Sequence, residues 1–405
     1  MFNMRIAIIG TGISALSTAF YLNKKIDIDL YDSEDRLGGH TDTHLINLRN
    51  KEIRVDTGFI VCNDRNYKNF FQLINQCDVS LNESDMSYSS SIDNKTWCSK
   101  DFFKPSYYLS FFNIKFLFNI LKFNKLGKKD IDDELPISEW LNLNNFSKNF
   151  AENYIYPMSA AIWSMNPNQI NDFPTNRLLS FFNNHGLLDI FNRPKWYSIK
   201  NGSSSYIKKI LNKTSVKNIK LSESINIKRN ENKITIITND LKTDYDYVIF
   251  TCNTKQINQI LIDQTKDETE AYSYFEYLDN KVVLHNDTSL MPQDRAKWSS
   301  WNSFKKGNDQ YVTYWMNNLQ KLDTNENIFV TLGIFNISNS NNIFRAKKYD
   351  HIVYKKRTII GQEKIENLQG KNRLFYAGAY LGYGFHEDGV KSGIRVAQMI
   401  NALKE

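Results

Sequence analysis

Cysteine is scarce in this 405-residue chain: Cys62, Cys77, Cys98 and Cys252 are the only four, and no CxxC pair or metal-ligand spacing relates them. That argues against a disulfide framework and a structural metal centre, and reduced, partly buried thiols are expected. No apolar run reaches the roughly 18 residues that a spanning helix needs. The first strand-like run starts within ten residues of Met1, which leaves no space for a signal peptide, so a cytoplasmic protein is expected. Internal repeats and low-complexity linkers are absent too. The net charge of +7 is modest, and without a long basic run or an RNA-binding motif nucleic acid is not an expected partner. What the chain does have is length enough for two domains and an aromatic content of 14%.

The strongest local pattern is Ile6 to Leu22, an apolar strand, then Gly10-Thr11-Gly12-Ile13-Ser14-Ala15, then apolar residues at helical spacing. Gly10 permits a tight turn, Gly12 lets backbone approach a pyrophosphate, and the small Ala15 allows close helix packing. The unpaired N–H groups around Ile13 and Ser14 then face the phosphates. About twenty residues further on, a second strand leads into Asp32, whose carboxylate suits the ribose hydroxyls of an adenosine. A dinucleotide site follows from this order of elements.

The run Asp32-Ser33-Glu34-Asp35-Arg36-Leu37-Gly38-Gly39-His40-Thr41 resembles the E-x-x-x-R-x-G-G-R segment of the flavoprotein family that includes amine oxidases, protoporphyrinogen oxidases and phytoene desaturases. That resemblance implies FAD, with Asp32, Ser33, Arg36, Gly38, Gly39, His40 and Thr41 around it. Asp32 stands where glutamate is usual. His40 stands where an arginine commonly meets the pyrophosphate, which makes that contact pH-dependent. Asp56-Thr57-Gly58-Phe59-Ile60 is similar to the segment that lays backbone against the isoalloxazine ring, so Gly58, Phe59 and Ile60 are implied ring neighbours, and Ile225 is implied to offer backbone to the adenine. Near the end of the chain, Ala377-Gly378-Ala379 resembles the family's A-G-D segment, with Ala379 in place of the acid. Phe385, Glu387 and Val390 open a final helix whose positive N-terminus is implied to point at the flavin. No cysteine follows Cys252, which excludes a thioether to flavin near the C-terminus.

The expected fold class is α/β: a Rossmann-like FAD-binding domain with an interleaved α+β substrate domain, amine oxidase-like. The FAD domain is expected to be discontinuous, over 1–70, 200–254 and 351–405, with the substrate domain over 71–199 and 255–350.

The whole chain also resembles one branch of that family, bacterial flavoproteins associated with cyclopropane-fatty-acid synthases and furan fatty acid formation. The matching stretches are Pro157 to Ser164, Asn184 to Leu188, Arg193 to Trp196, Trp298 to Asn302, Thr313 to Asn317 and Gly382 to Gly389. The branch implies desaturation of methyl-modified acyl chains of membrane phospholipids, with a lipid methyltransferase of the same pathway as a partner; the electron acceptor stays open. An amine oxidase and a non-catalytic flavoprotein that presents lipid to another enzyme are the alternatives. Independently, residues 102–129 combine an aromatic run with Lys104, Lys115, Lys122, Lys125, Lys128 and Lys129. Such a segment suits an anionic membrane surface, here the inner face of the cell membrane, and equally a buried helix pair. Desaturation needs a proton acceptor in a dry pocket. His285 and His386 are the first candidate bases, with Glu387 and Asp388 beside the latter as carboxylate candidates or helix N-terminal acids, and Tyr383 is a further catalytic candidate; Trp163 and Tyr314 are candidate tunnel residues, and Lys281 could correspond to an amine oxidase lysine.

Overall fold

In the computed structural model the described residues are 4–92, 95–104, 111–129, 135–163, 170–189, 191–239, 241–307, 309–337 and 340–403. Part of the aromatic segment, 105–110, and Ser164 of the Pro157 to Ser164 stretch lie outside them.

The first strand, Arg5–Ile9, is buried along four of its five residues, as a central parallel strand covered on both faces must be. It pairs in parallel with Asp27–Tyr31 on one side and Tyr247–Phe250 on the other. Val216–Lys220 and Leu374–Tyr376 complete a five-stranded parallel sheet. This is a Rossmann-like sheet assembled from widely separated segments. A three-stranded antiparallel sheet, Asn226–Arg229, Ile234–Ile237 and Lys242–Tyr245, packs its Ile227, Ile234 and Ile236 against Ala7, Val248 and Phe250.

Two helices pack together on this sheet, Ile13–Tyr21 and the final helix His386–Ala402. They approach so closely that a Cβ at Gly393 would sit 2.2 Å from the Ser17 Oγ, and the Thr18 hydroxyl donates to the Gly393 carbonyl at 3.3 Å. Only glycine allows that crossing, and it is the small Ser17 and Thr18 of the first helix that meet it.

The second layer is a seven-stranded sheet in the order Ile343–Ile352, Tyr277–His285, Phe329–Ile334, Asp309–Trp315, Trp301–Lys306, Tyr88–Ile92, Lys95–Cys98. Its pairings are antiparallel except that between Trp301–Lys306 and Tyr88–Ile92. Helices between Phe111 and Asn184 gather the aromatic residues into one cluster around Phe123, Phe150, Phe173 and Phe182, each at most 1% exposed. The helix Phe111–Gly127 is apolar on two faces. Phe116, Ile120 and Phe123 enter the cluster, whereas Ile114, Phe118 and Leu121, at the same spacing, are exposed. The segment is therefore a packed helix that also presents a second apolar face. Among the described residues no helix is long and apolar enough to cross a membrane.

Candidate functional site: a dinucleotide turn opening into an aromatic cavity

One cavity of about 950 Å³ runs from the first glycine turn to the helical layer, near the upper end of the range for small-molecule sites. Its nucleotide end is built where a Rossmann sheet presents its carboxyl ends. Gly10 has φ +104° and a Cβ there would meet the Thr251 Oγ1 at 2.6 Å, so this glycine is demanded by the chain itself. Gly12 differs. A Cβ there would meet nothing nearer than the Gly38 carbonyl at 3.9 Å, so the space over the turn is free for a ligand. The helix beginning at Ile13 has no side-chain cap and no acid in its first turn. Its N–H groups thus remain available to an anion.

Asp32 lines the cavity and also holds the turn: its carboxylate accepts from the Thr11 N–H at 2.9 Å and hydroxyl at 2.6 Å, and from the Glu34 N–H at 3.0 Å. Ser33, Gly38, Gly39, His40, Thr41, Ile225, Gly378 and Ala379 line it as well. Arg36 does not. Its guanidinium turns inward onto the Gly39 carbonyl at 2.6 Å and the Asp42 carboxylate at 2.9 Å, fixing the loop between them. His40 faces His351 and Tyr349, with ring centroids 5.6 and 5.2 Å away. Burial, then the charges of Lys347 and Arg36, hold the His40 pKa below the usual histidine value, and burial takes His351 down to about 3.

In the middle of the cavity lie Gly58, Phe59, Ile60, Tyr383, Phe385 and His386. Gly58 has a structural reason to be glycine, because a Cβ would overlap the His40 carbonyl. His386 stacks on Phe59 and bonds through Nε2 to the Tyr206 hydroxyl at 2.7 Å. Tyr206 in turn bonds to Thr41.

Several expected site residues take other positions. His285 is fully buried in the seven-stranded sheet, Nε2 against the Thr331 hydroxyl at 2.7 Å and Nδ1 accepting from the Asp287 N–H at 3.1 Å, and it does not line the cavity. Glu387 accepts from the Asn69 and Phe70 N–H groups at 3.1 and 2.9 Å, capping the helix Lys68–Gln76 instead of meeting a cofactor. Val390 is a core residue, while Ala15 is packed in the core beside the final helix, the close helix packing expected of its small side chain. Lys281 is exposed, 5.5 Å from the centre of the Phe335 ring, and lies outside the cavity.

The far end is lined by Met86, Met158, Ile162, Trp163, Phe181, Leu187, Trp301, Tyr314 and Leu332, and by one residue that sequence reasoning passed over, His185. The lining carboxylates Asp32, Glu34, Glu223 and Asp350 all belong to the nucleotide end; Asp350 is bonded to Asn253 and Lys255, just beyond the strand Tyr247–Phe250. The far end has no acid among the described residues.

The comparisons agree with this architecture. Residues 8–77 match the model of an NAD(P)-binding Rossmann-like domain. No curated protein matches the sequence. Solved structures do match, over nearly the whole of both chains. The fold is amine oxidase-like. Cyclohexylamine oxidase from Brevibacterium oxydans IH-35A superposes with a TM-score of 0.73 at 13% identity, covering 100% of each chain. A CLA-producing fatty acid isomerase from P. acnes gives 0.71 at 15%, covering 98% of each. Putrescine oxidase bound to putrescine gives 0.69 at 12%, covering 99% of each. Such identities speak for the fold.

Proposed function

We propose that this chain is an FAD-dependent oxidoreductase that desaturates acyl chains of membrane phospholipids, methyl-modified chains in particular. The observation that carries the reading is one continuous cavity, which passes from a free phosphate cradle at Gly12 to an apolar end without an acid among the described residues. FAD fits the first part: the uncapped helix at Ile13 suits its pyrophosphate, Asp32 its ribose, and the segments around Gly58 and Gly378 its ring and phosphates. When bound it supplies a two-electron acceptor. The chain's own residues bind the acyl chain by apolar contact at Met86, Met158, Ile162 and Leu332, keep water out with the aromatic cluster, and hold the reacting carbons still.

An amine oxidase is the second reading, since Tyr354, Tyr380 and Tyr383 line the same cavity and aromatic rings attract ammonium groups. Arg177 already lies 5.6 Å from the Tyr383 ring and 6.0 Å from that of Tyr354, which weakens the site for a second cation. Approach to an anionic membrane through the exposed face Ile114, Phe118 and Leu121, with Lys115 and Lys125 beside it, would bring the enzyme to its lipid. The test is anaerobic mixing of the FAD-loaded protein with phospholipid bearing a methyl-modified chain. The flavin is expected to bleach and the lipid to lose two mass units, while simple amines leave the flavin oxidised. Bleaching by amines alone would reverse the order of the two readings.

A further inference from the structure

Four histidines line the cavity, and three of them have neighbours of their own. His386 spends Nε2 on Tyr206, His351 bonds through Nδ1 to Asn280 at 2.6 Å, and His40 sits by the nucleotide turn against Tyr349. His185 alone belongs to the apolar end. It caps the C-terminus of the helix Thr175–Asn184 and stacks on Phe181 at 3.7 Å, with Phe385, Trp196 and Tyr67 around it at 5.8, 6.2 and 6.4 Å. Its Nδ1 lies 2.9 Å from the Phe181 carbonyl. A carbonyl only accepts, so the proton belongs on Nδ1 and Nε2 carries the lone pair. Among the described residues no hydrogen bond is made to Nε2, and His185 lines the cavity.

We propose that His185 is the catalytic base of the desaturation, taking the substrate proton on Nε2. The inference rests on the functional reading given above. One carbon of the acyl chain gives up a hydride to the flavin. The neighbouring carbon gives its proton to Nε2, and the electron pair of that second C–H bond becomes the new C=C bond. The chain loses two hydrogens, the flavin gains two electrons and a hydrogen, and His185 becomes an imidazolium. Burial holds the free side chain neutral, its pKa lowered to about 4. A base that weak suffices because hydride departure leaves the chain electron-poor and makes the adjacent C–H acidic. The fixed tautomer also means that no proton has to be moved before the reaction. His285 is excluded by its place in the sheet, and the Nε2 of His386 is taken by Tyr206.

The test uses full-length, FAD-loaded protein with phosphatidylglycerol bearing a methyl-branched chain. His185→Asn keeps an N–H near the Phe181 carbonyl and removes Nε2. It is expected to bind FAD and lipid as before, seen by flavin absorbance and the lipid-induced shift of that spectrum, while flavin reduction slows about 100-fold or more. In the wild type, ¹⁵N NMR of labelled histidine is expected to show His185 neutral and protonated on Nδ1 from pH 5 to 8, a readout independent of turnover. Reduction of the variant at the wild-type rate would overturn the base and leave the functional reading standing. A proton found on Nε2 would overturn it as well. Failure of the bound lipid to bleach the wild-type flavin would overturn the reading, and the base with it.

Discussion

His386 and Phe59 lie face to face, ring centroids 3.6 Å apart and planes within 6°. One comes from the start of the final helix and the other from the loop after the hairpin Thr43–Leu48 and Lys51–Asp56, so the pair ties the two walls of the cavity's middle. Replacing His386 by alanine removes that stack and the bond to Tyr206. FAD is expected to dissociate about tenfold faster, about 1.4 kcal/mol, the size of one good hydrogen bond. Recovery of flavin fluorescence on dilution measures this. An unchanged release rate would show that the stack does not hold the cofactor site.

The two glycines of the first turn are expected to separate folding from cofactor binding. Gly12→Ala adds a single methyl that meets nothing nearer than the Gly38 carbonyl at 3.9 Å, so the apoprotein should melt within a few degrees of wild type yet bind FAD much more weakly. Gly10→Ala forces a side chain onto Thr251 at positive φ and should cost stability with or without cofactor, by about 1–3 kcal/mol. Urea titration of both apoproteins, with flavin content alongside, distinguishes them.

Acid should weaken the fold as the buried histidines are forced to take up protons, an effect offset in part by Asp56 and Asp388, whose carboxyls burial raises to about 7 and about 6. Burial lowers His185 and His285 to about 4 and His351 to about 3, whereas the unfolded chain takes up these protons near pH 6.5. Folded pKa values below unfolded ones give stability that is complete above about pH 6.5 and is lost as pH falls toward 4. The slope is up to about 1.4 kcal/mol per pH unit for each histidine. Denaturation at pH 7.0 and 5.5 should show the loss. His285→Gln should be less stable at pH 7, having left Thr331 and the Asp287 N–H with altered partners, and should show a shallower slope. Its flavin reduction is expected to stay normal.

The exposed face of the helix Phe111–Gly127 can be altered with little cost to the fold, since Phe118 is 65% exposed. Phe118→Ser, and separately Lys115→Gln with Lys125→Gln, should lower binding to anionic vesicles in a sedimentation assay. The lysine effect should vanish at high salt and the phenylalanine effect persist. Equal pelleting of wild type and both variants at low salt would remove this helix from the membrane contact.

Local pattern alone carried the first turn, the strand beside it and the apolar glycine-bearing final helix, because a strand, a turn and a helix N-terminus are built from neighbours in sequence. It also marked the Gly58 and Gly378 segments, although the reason for Gly58 came from a carbonyl eighteen residues earlier. Which of six histidines face the cavity could not be read that way. His285 lies on an apolar strand as a base might, but its ring bonds to Thr331 within the sheet; His185, at the end of an ordinary amphipathic helix, lines the cavity. Glu387 reads as a flavin neighbour by position and is spent on a helix 317 residues away along the chain. The helix Phe111–Gly127 reads as membrane-facing or buried, and packing buries one apolar face while leaving another exposed. Backbone turns are decided within a few residues, whereas the partner of a charge, the tautomer of a ring and the face of a helix that stays open are decided by whatever the finished fold brings against them.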